Sequence, residues 1–507
     1  MNWIDLFLNK VTMYSLMLYY LIALIAVAVV LSFFGVLPYN PWTMLLATSV
    51  LYGTSKIVNP VFGRLFKVRP NFESSAITGL ILALIFGPTI ALGHIWKLGV
   101  IAAVAMLSKY VIIFQKRHIF NPAAFAAVVS AALLSVGASW WVGNIFMLPA
   151  VAIGGFLFLR KARWFHLSLS FLITYFVAHI ALYFYSGQGG NIMQYLTSTL
   201  LNSPILFFSF VMLTEPLTQP SGKRSRILFG AGVALLASLL PTMFDVYYGL
   251  ELSLIIGNII FLLLFGNTRR FLHLVKKTSV AANTTAFAFA SEKKLAFQPG
   301  QFLLWSLPHT KTDLRGHRRY FSIASSPTEE NISLVTKFAE KSSTFKKALW
   351  ELPPEETIMA SSLDGDFVLP KDRQQKCVFI AGGVGIVPFR SMVKFLLDTK
   401  QKQPITLLYS NNTAEEICFK EIFDQAEKNL GMKTVYTLTN MDQVPTDWRG
   451  KTGYIDGPVI QEEVKEYRNA LYYVSGPDSF VRAMEKALKG IGIPSRNIKT
   501  DYFPGYA

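Results

Sequence analysis

The sequence predicts a multi-domain protein, in which an α-helical polytopic membrane domain precedes an antiparallel β-barrel and an α/β doubly wound domain. Charge is the first observation behind this prediction. Residues 1–265 hold only 15 Lys or Arg and 5 Asp or Glu, out of 48 and 31 in the 507-residue chain. A globule that faces water carries far more charge, as residues 266–507 do. Long apolar runs fill the first part, and short alternating strands followed by strand–helix alternation fill the second. The predicted domains are residues 1–266, 267–371 and 372–507.

Ten apolar segments of the first domain are predicted to span the membrane. They lie near residues 15–36, 41–58, 74–93, 96–115, 122–138, 143–160, 165–186, 196–213, 226–242 and 246–265. With the N-terminus inside, 13 basic residues fall on inner segments and only Lys97 falls on an outer one. Since Lys and Arg accumulate on the cytoplasmic side, we expect a multi-pass protein of the cell membrane with its reductase domains in the cytoplasm. The inner loops face anionic lipid and explain the net charge of +17, so no nucleic-acid partner is predicted.

Irregular elements indicate that the membrane domain does more than anchor the chain. Asn121–Pro122 opens one segment with a turn, and Thr214–Pro220 places two prolines and an acid at the inner end of another. Broken helices persist at membrane depth where they line a cavity or bind a ligand. Lys109 and Glu251 are ionisable groups at membrane depth and therefore functional candidates, although each can also reach an interface.

Four segments of this domain resemble a known family. In chain order they are Asn71–Leu84, His118–Phe125, Met212–Pro220 and Tyr248–Leu264. They look like the membrane flavin subunits B of the sodium-pumping NADH:quinone oxidoreductase and D of the Rnf electron-transport complex. The resemblance implies a flavin, typically an FMN linked to a Thr in an S-G-A-T loop. The corresponding residues 185–190 read YSGQGG, so a non-covalent FMN or riboflavin, or direct contact with quinone, stays open.

A haem-containing ferric or oxygen reductase of the NADPH-oxidase type is the alternative. It needs two pairs of histidine ligands, each about 13 residues apart on one helix. His166 and His179 have that spacing, whereas His94 and His118 are 24 residues apart. One pair is too few for two haems, so the flavin prediction is preferred.

Strands predict the two soluble domains. The antiparallel barrel is expected to contain strands over Thr278–Phe289, Gln301–Leu307, Tyr320–Ile323 and Asn331–Phe338, ending near Pro370. Strands Cys377–Ile380, Pro404–Tyr409, Lys433–Thr437 and Ala470–Val474 then alternate with helices Phe389–Thr399, Glu415–Leu430 and Ser479–Leu488. This alternation predicts a parallel doubly wound sheet. The two cysteines of the chain are too few for an iron–sulfur cluster, and no metal site is predicted.

The strongest chemical motif is Val378–Pro388, which reads VFIAGGVGIVP. A buried strand runs into Gly382, Gly383 and Gly385, and Pro388 then opens a helix. Glycines let the backbone approach a pyrophosphate, and a helix N-terminus offers free N–H groups to its negative charge. A tight packing turn is the competing explanation, but the position between strand and helix favours nucleotide binding.

A second motif, Arg318–Pro327, reads RRYFSIASSP. Strand alternation places Arg319 and Phe321 on one face and Tyr320 and Ser322 on the other. Arginine can bind a phosphate with two hydrogen bonds, and an aromatic ring can stack on a flavin ring.

Taken together, five ordered motifs resemble the ferredoxin–NADP reductase superfamily. They are PGQF (Pro299–Phe302), RYFSIAS (Arg319–Ser325), GDFVLP (Gly365–Pro370), GGVGIVP (Gly382–Pro388) and YVSGP (Tyr473–Pro477). The resemblance implies FAD on the barrel and NADH or NADPH on the last domain. Asn412 stands where many relatives have an arginine, which tilts the prediction slightly to NADH.

The resemblance also assigns roles to residues. Arg319 would bind the flavin pyrophosphate, Phe321 would pack on the flavin ring, Ser322 would approach its reactive nitrogen, and Phe503 or Tyr506 would shield the ring face that nicotinamide must reach. Ser322, Phe503 and Tyr506 are the predicted catalytic residues. The predicted cofactor-binding residues are Arg319, Tyr320, Phe321, Ser322, Ser325, Lys337, Ser343, Thr344, Gly382, Gly383, Gly385, Pro388, Ser475, Gly476 and Pro477.

The chain is therefore predicted to be an NAD(P)H oxidoreductase of the membrane. Electrons would pass from NAD(P)H through FAD to an acceptor in the membrane domain, which is a second flavin, a quinone or both. Coupling to ion transport stays open, and so does a role for the membrane helices as a platform for partner subunits in membrane lipid.

Overall fold

The chain forms two compact units, Met1–Asn267 and Thr268–Ala507. We describe each unit by itself, from a computed structural model. The structure describes residues 8, 11–68, 70–89, 91–114, 117–187, 190–220, 222–265, 270–309, 313, 317–340 and 342–503.

The first unit is helical. Its helices are α1 (Met13–Phe33), α2 (Pro41–Leu65), α3 (Phe72–Phe86), α4 (Trp96–Val111), α5 (Pro122–Leu134), α6 (Leu148–Ala162), α7 (Phe165–Tyr185), α8 (Ile192–Leu201), α9 (Ile205–Phe207), α10 (Lys223–Phe244) and α11 (Gly249–Phe265). A π-helical turn, Phe208–Met212, continues α9. Two short strands, β1 (Ile113–Phe114) and β2 (Arg117–His118), pair between α4 and α5.

Asparagine caps fix where several of these helices begin. Asn40, Asn71, Asn121 and Asn191 each accept a hydrogen bond from a backbone N–H in the first turn of the helix that follows. The cap supplies a partner to an N–H that has none inside the helix. Pro follows the cap in α2 and α5, where its fixed φ suits the first turn and its missing N–H costs nothing.

The prediction of ten membrane spans is not supported. Among the described residues, α1, α7 and α10 are long and apolar enough to cross a membrane, and α8 with Ile205–Met212 would add a fourth if this pair, bent by 57°, is one span. Every predicted segment overlaps a helix, but α3, α5 and α11 have only 15, 13 and 17 residues. At 1.5 Å per residue such helices are shorter than the hydrocarbon core of about 30 Å. The apolar runs predicted the helices and overestimated their length, because breaks such as the 3₁₀ turn Gly87–Thr89 interrupt them.

The second unit begins with a six-stranded antiparallel sheet. Its strands are β3 (Arg270–Ala281), β4 (Thr284–Ser291), β5 (Phe302–Ser306), β6 (Arg318–Ser322), β7 (Ile332–Lys337) and β8 (Thr357–Asp364), in the order β6-β5-β8-β3-β4-β7. Helix α12 (Thr344–Glu351) lies between β7 and β8 in the chain. The prediction of one strand over Thr278–Phe289 is wrong: the chain reverses there, with Asn283 at a φ of 54°, and β3 pairs with β4 as a hairpin. Asn tolerates this left-handed conformation, which most residues avoid.

A parallel sheet follows. Strands β9 (Cys377–Gly382), β10 (Ile405–Asn411), β11 (Lys433–Leu438), β12 (Lys451–Thr452), β13 (Leu471–Pro477) and β14 (Ile498–Phe503) lie in the order β12-β11-β10-β9-β13-β14. Helices α13 (Val387–Asp398), α14 (Lys420–Leu430), α15 (Gly457–Glu463) and α16 (Asp478–Gly490) connect them. Every residue of β9 and β10 is buried, which is typical of parallel strands covered on both faces.

The strand order positions the site. It reverses at β9, with β10 on one side and β13 on the other. Ligands of doubly wound sheets bind in the crevice at such a point, outside the carboxyl ends of the strands. The loops that follow β9 and β13 are therefore where a ligand of this sheet is expected.

Candidate functional site

The loops after β9 and β13 touch backbone to backbone, and glycines permit this contact. A Cβ added at Gly385 would lie 2.3 Å from the carbonyl oxygen of Ser475, and one added at Gly476 would lie 2.8 Å from the Phe480 ring. Gly383 differs, since its φ is +54° and a Cβ there would meet nothing within 4 Å. Two of these glycines are thus needed for packing, and Gly383 borders open space.

The surroundings of this open space fit an anionic ligand. Helix α13 begins directly after the loop, with Pro388 in its first turn, so its first N–H groups have no partner within the helix. On β13, the Ser475 hydroxyl is buried and has no hydrogen-bond partner within the residues that the structure describes. Buried hydroxyl groups are normally bonded, so Ser475 is placed as expected for a group that meets a ligand. Pro477 closes the edge by ending β13 ahead of α16.

The antiparallel sheet reaches the same edge through Ser322. This serine ends β6 and is buried, and its hydroxyl donates a hydrogen bond of 3.1 Å to Asp501 on β14. β14 pairs with β13, with Asp501 opposite Ser475 in the register. The predicted catalytic serine and the predicted nucleotide residue Ser475 therefore lie on either side of Asp501.

Arg319 belongs to a second cluster, around the start of α12. Its guanidinium pairs with Asp313 at 2.8 Å and lies 5.5 Å from the centre of the Phe345 ring. The backbone N–H of Asp313 donates to the hydroxyl of Thr344 at 3.0 Å, and Ser343 is the N-cap of α12. A cation and a helix N-terminus thus face one region.

The cluster fits a flavin pyrophosphate for that reason. A helix N-terminus and an arginine each favour negative charge, and the Asp313 carboxylate stands at the cation as a phosphate oxygen would. His309 orders the cluster further. Its Nδ1 lies 2.8 Å from the carbonyl oxygen of Leu307 and its Nε2 lies 3.0 Å from the Thr344 hydroxyl. Because Nδ1 faces a carbonyl, it carries a proton, and Nε2 can accept the hydrogen of Thr344.

The two aromatic residues of β6 have different surroundings. Phe321 faces the interior and its ring centre lies 5.8 Å from that of Phe345. Tyr320 points the other way, is 49% exposed, and meets the edge of Phe302 at 5.4 Å. The alternation predicted for this strand agrees with these contacts, and Tyr320 presents the more exposed aromatic ring.

Some predicted site residues have structural partners instead. Lys337 pairs with Glu416 of the parallel domain at 2.5 Å. The hydroxyl of Ser325 accepts the Ser333 N–H at 2.9 Å. Phe503 ends β14, and Tyr506 lies outside the described residues. The site-residue assignments as a whole stay predictions.

Asp501, Asp313 and Arg390 contact predicted site residues, and sequence reasoning missed all three. Arg390 donates to the carbonyl oxygen of Ala324, which follows the flavin-type strand. Each contact joins distant parts of the chain, with Ser322 and Asp501 separated by 179 residues. A weak signal existed for Asp501, because a carboxylate two positions before Phe503 lies within the C-terminal motif.

Burial removes the two thiols from the list of reactive groups. Burial raises the pKa of Cys377 to about 12 and the pKa of Cys418 to about 11. A thiol is a nucleophile only as the thiolate, so neither reacts readily at neutral pH. Lys499 lies near Cys377, half buried, with its Nζ 5.0 Å from the Tyr473 ring centre. Burial lowers the pKa of Lys499.

In the membrane unit, the four family-like segments meet. A pocket there is lined by Ser74 and Thr78 of the first segment, Asn121 of the second, and Thr214 and Glu215 of the third. These residues are up to 141 positions apart in the sequence. The pocket is bordered on its other sides by apolar side chains of α1 and α6.

Hydrogen bonds hold the segments around this pocket. The side chain of Asn121 donates to the Met212 carbonyl at 3.0 Å, and its backbone N–H donates to Asn258 of the fourth segment at 3.2 Å. Asn258 in turn donates to the Thr218 carbonyl at 3.1 Å. His118 lies 3.0 Å from Glu215. The side chains of Asn121, Asn258 and His118 are all buried, so the cluster is a built feature.

The ionisable candidates have defined partners. The ammonium of Lys109 donates to the Ser74 carbonyl at 3.0 Å and to the Thr78 hydroxyl at 2.8 Å, which places it beside the pocket. Glu251 is 2% exposed and accepts a hydrogen bond of 2.8 Å from the Trp140 indole. His179, of the pair weighed for haem, bonds to the Tyr195 hydroxyl at 2.6 Å.

A family comparison supports the nucleotide site. Residues 379–486 match the family described as "Oxidoreductase NAD-binding domain". The match confirms the predicted NAD-binding reductase domain in the second half of the chain. The resemblance of the first half to the membrane flavin subunits stays a prediction.

Curated relatives from two organisms carry the name of one component, designated F, of the "Na(+)-translocating NADH-quinone reductase". The protein of Yersinia pestis (strain Pestoides F) is 28% identical over 200 residues, which cover 37% of this chain and 49% of that protein. The protein of Neisseria meningitidis serogroup C / serotype 2a is 29% identical over 201 residues, with the same coverage. The chain spans about half the length of these relatives.

Solved structures of similar chains include two reductases. One is the "Flavohem-like-FAD/NAD Binding Domain of Nitric Oxide Dioxygenase" from Vibrio cholerae O1 biovar El Tor, with 20% identity and a TM-score of 0.41 over 46% of this chain and 98% of that chain. The other is a ferredoxin NADP+ reductase from Neisseria gonorrhoeae, with 15% identity and a TM-score of 0.39 over 46% and 98%.

Proposed function

We propose that the chain is a membrane-bound, NADH-dependent flavin oxidoreductase. In this proposal residues 372–507 bind NADH, residues 267–371 bind FAD, and residues 1–266 hold the electron acceptor in a multi-pass domain of the cell membrane. The family match of residues 379–486 supports the first assignment. The other two rest on the geometry of the described residues.

One observation carries the proposal: Ser322 and the nucleotide-type loop meet at one edge of the parallel sheet. The hydrogen bond from Ser322 to Asp501 brings the end of the antiparallel strand β6 to the strand beside Ser475. A flavin with its phosphates at Arg319 would run along β6 toward Ser322. A nucleotide with its phosphates at Gly383 would run toward Ser475. The two rings would then meet between the serines.

FAD, when bound, accepts two electrons with a hydride and releases them one at a time. The chain's own residues do the positioning. Arg319 and the first turn of α12 would hold the flavin phosphates, and Gly383 and the first turn of α13 would hold those of NADH. The Ser322 hydroxyl would bond a flavin ring nitrogen, with Asp501 as the group that holds that hydroxyl's orientation.

Charge at the ribose end supports NADH over NADPH. Asn412 follows β10, and its side-chain oxygen accepts a hydrogen bond of 3.0 Å from the Thr439 hydroxyl. Glu415 lies three residues beyond Asn412, and Asp442 follows β11. A ribose phosphate would meet neutral and acidic groups here, whereas a ribose hydroxyl needs only such acceptors. The curated relatives carry NADH in their names.

The acceptor site of the proposal is the pocket between Ser74, Asn121 and Glu215. It offers hydroxyl, amide and carboxyl groups on one side and apolar side chains on the other, as sites for flat organic ligands do. A non-covalent flavin, FMN or riboflavin, fits this lining, and so does a quinone. The named relatives belong to a sodium-translocating quinone reductase, so quinone as final acceptor and coupling to ion transport belong to the proposal.

Spectroscopy of the detergent-solubilised full chain tests the proposal. We expect flavin absorbance that NADH removes under anaerobic conditions, faster than NADPH does. Acid extraction should yield FAD together with a second flavin if the membrane pocket holds one. An Arg319→Gln variant should lose FAD and keep the second flavin. A Soret band near 410–430 nm in place of flavin absorbance would refute the proposal in favour of the haem alternative.

A further inference from the structure

The loop that follows the flavin-type strand is bound to the helix that follows the nucleotide loop. Strand β6 ends at Ser322, and residues 323–329 then run along α13. Within this loop, Ala324, Ser325 and Thr328 each contact a side chain of α13. Two segments that belong to different sheets are therefore joined by side chains.

Arg390 forms the centre of this junction. Its guanidinium makes a two-toothed ion pair with Glu329, in which Nη2 lies 2.8 Å from Oε1 and Nη1 contacts Oε2. The same Nη1 donates to the Ala324 carbonyl at 3.0 Å. Glu329 in turn accepts the Ser326 N–H at 2.6 Å. The planar guanidinium also lies 5.5 Å from the Phe419 ring centre, so its position is fixed in three directions.

Ser391 and Asp398 extend the junction along α13. The Ser391 hydroxyl donates to the Ser325 carbonyl at 2.6 Å, and both residues are almost fully buried. The Thr328 hydroxyl donates to Asp398 at 2.5 Å. Buried polar contacts of this kind have no water to replace a lost partner, so the loop cannot slide along the helix without cost.

The position of α13 gives the junction a consequence beyond stability. Its first turn follows Gly383 and Gly385, where the nucleotide phosphates would lie, and its next residues hold the loop after Ser322. One rigid helix thus sets the distance between the two predicted ring sites. Hydride transfer requires reacting atoms about 3–3.5 Å apart, and a displacement of about 1 Å can cost two orders of magnitude in rate.

We propose that Arg390 and Ser391 are positioning residues, which set the distance between the flavin ring and the nicotinamide ring through residues 323–329. The inference rests on the proposed function and adds a role outside both predicted ligand sites. Arginine suits this role because its fork can bond a carboxylate and a carbonyl at once, which lysine cannot do.

Anaerobic stopped-flow reduction by NADH tests this inference on the flavin-containing full chain. The variants are Arg390→Gln, Arg390→Lys, Ser391→Ala and Glu329→Gln. Arg468→Gln is the matched control, since Arg468 also lies over an aromatic ring, that of Tyr467 at 5.7 Å, but precedes β13 at the opposite edge of the sheet. The limiting reduction rate per bound FAD and the NADH Kd are measured separately, together with FAD content and Tm.

We expect the limiting rate per bound FAD to fall about tenfold or more in Arg390→Gln. The NADH Kd should stay within about twofold, and the long-wavelength absorbance of stacked nicotinamide and flavin should weaken. Arg390→Lys should recover only part of the rate. Arg390→Gln combined with Glu329→Gln should be no slower than the worse single variant, because both remove one ion pair. Arg468→Gln should match the wild type.

The alternative outcomes separate this inference from the proposed function. If Arg390→Gln and Ser391→Ala lower Tm or FAD content but leave the rate per bound FAD within about twofold, the residues only stabilise the fold and the inference is overturned. If NADH does not reduce the wild-type flavin at all, the proposed function fails and the positioning role fails with it.

Discussion

Adding one methyl group to the glycine loop separates nucleotide binding from packing. A Cβ at Gly385 would lie 2.3 Å from the Ser475 oxygen, while ordinary contact begins at 3.4 Å, so Gly385→Ala must push the β13 loop away by about 1 Å. Overpacking of this kind costs about 1–3 kcal/mol. Gly383→Ala meets no atom within 4 Å and is strained only by its φ of +54°, which costs about 1–2 kcal/mol.

The two variants should therefore differ in what they lose. For a unit of this size, 1 kcal/mol corresponds to about 2–4 °C in Tm, so both should melt a few degrees lower, with Gly385→Ala the more affected. Gly383→Ala should raise the NADH Kd about tenfold or more, because its methyl group fills the space where the phosphates approach the loop. Titration calorimetry on the full chain measures the Kd, and differential scanning fluorimetry measures Tm.

Gly431→Ala is the control. Gly431 has a φ of +69° and open space around its Cβ, as Gly383 does, but it ends α14 away from the loop. It should lose a similar amount of stability and bind NADH like the wild type. Equal NADH affinity in Gly383→Ala and Gly431→Ala would refute the placement of the phosphates at this loop.

Three further predictions concern the second unit. Arg319→Gln should reduce the FAD content of the purified chain at least about tenfold by flavin extraction, since the phosphates lose their cation; unchanged content would contradict the site. Cys377 and Cys418 should react with a thiol reagent at pH 8 only after denaturation, because burial raises the pKa of both thiols; fast labelling of the folded chain would contradict this. Burial acts to raise the pKa of Asp398, but hydrogen bonds from Lys394 and another side chain outweigh it and hold the pKa below the usual 3.8. The stabilisation is therefore present at neutral pH and lost as the pH falls below that value, so Asp398→Asn should flatten the fall of Tm between about pH 5 and about pH 3, and an unaltered profile would contradict the pairing.

Pattern predicted the elements of the second unit better than those of the first. All four parallel strands named from the sequence are present, because buried apolar runs between turns specify such strands locally. The hairpin within Thr278–Phe289 was missed, since Ala and Thr on both sides of Asn283 continue the strand pattern without a break. In the first unit composition identified the helices, but the length of each depends on where a cap or a Gly–Pro break stops it.

The sequence by itself determined the chemistry that each part of this protein can support. The order strand, glycines, Pro388 and helix specifies an anion site from local geometry alone, and the family match to residues 379–486 agrees with it. Arg319 was likewise recognisable, because a cation beside aromatic residues on one strand needs no knowledge of the rest of the fold.

Only the tertiary structure decided which distant groups work together. Hydrogen bonds between Ser322 and Asp501, and between Ser325 and Ser391, join residues separated by 179 and 66 positions. In the membrane unit, Ser74 and Glu215 line one pocket. A linear pattern records which neighbours share a face of a helix or strand, whereas the pairing of such faces depends on packing energy summed over the whole unit. The pairs that hold the two predicted ring sites together therefore appear only once the chain is folded.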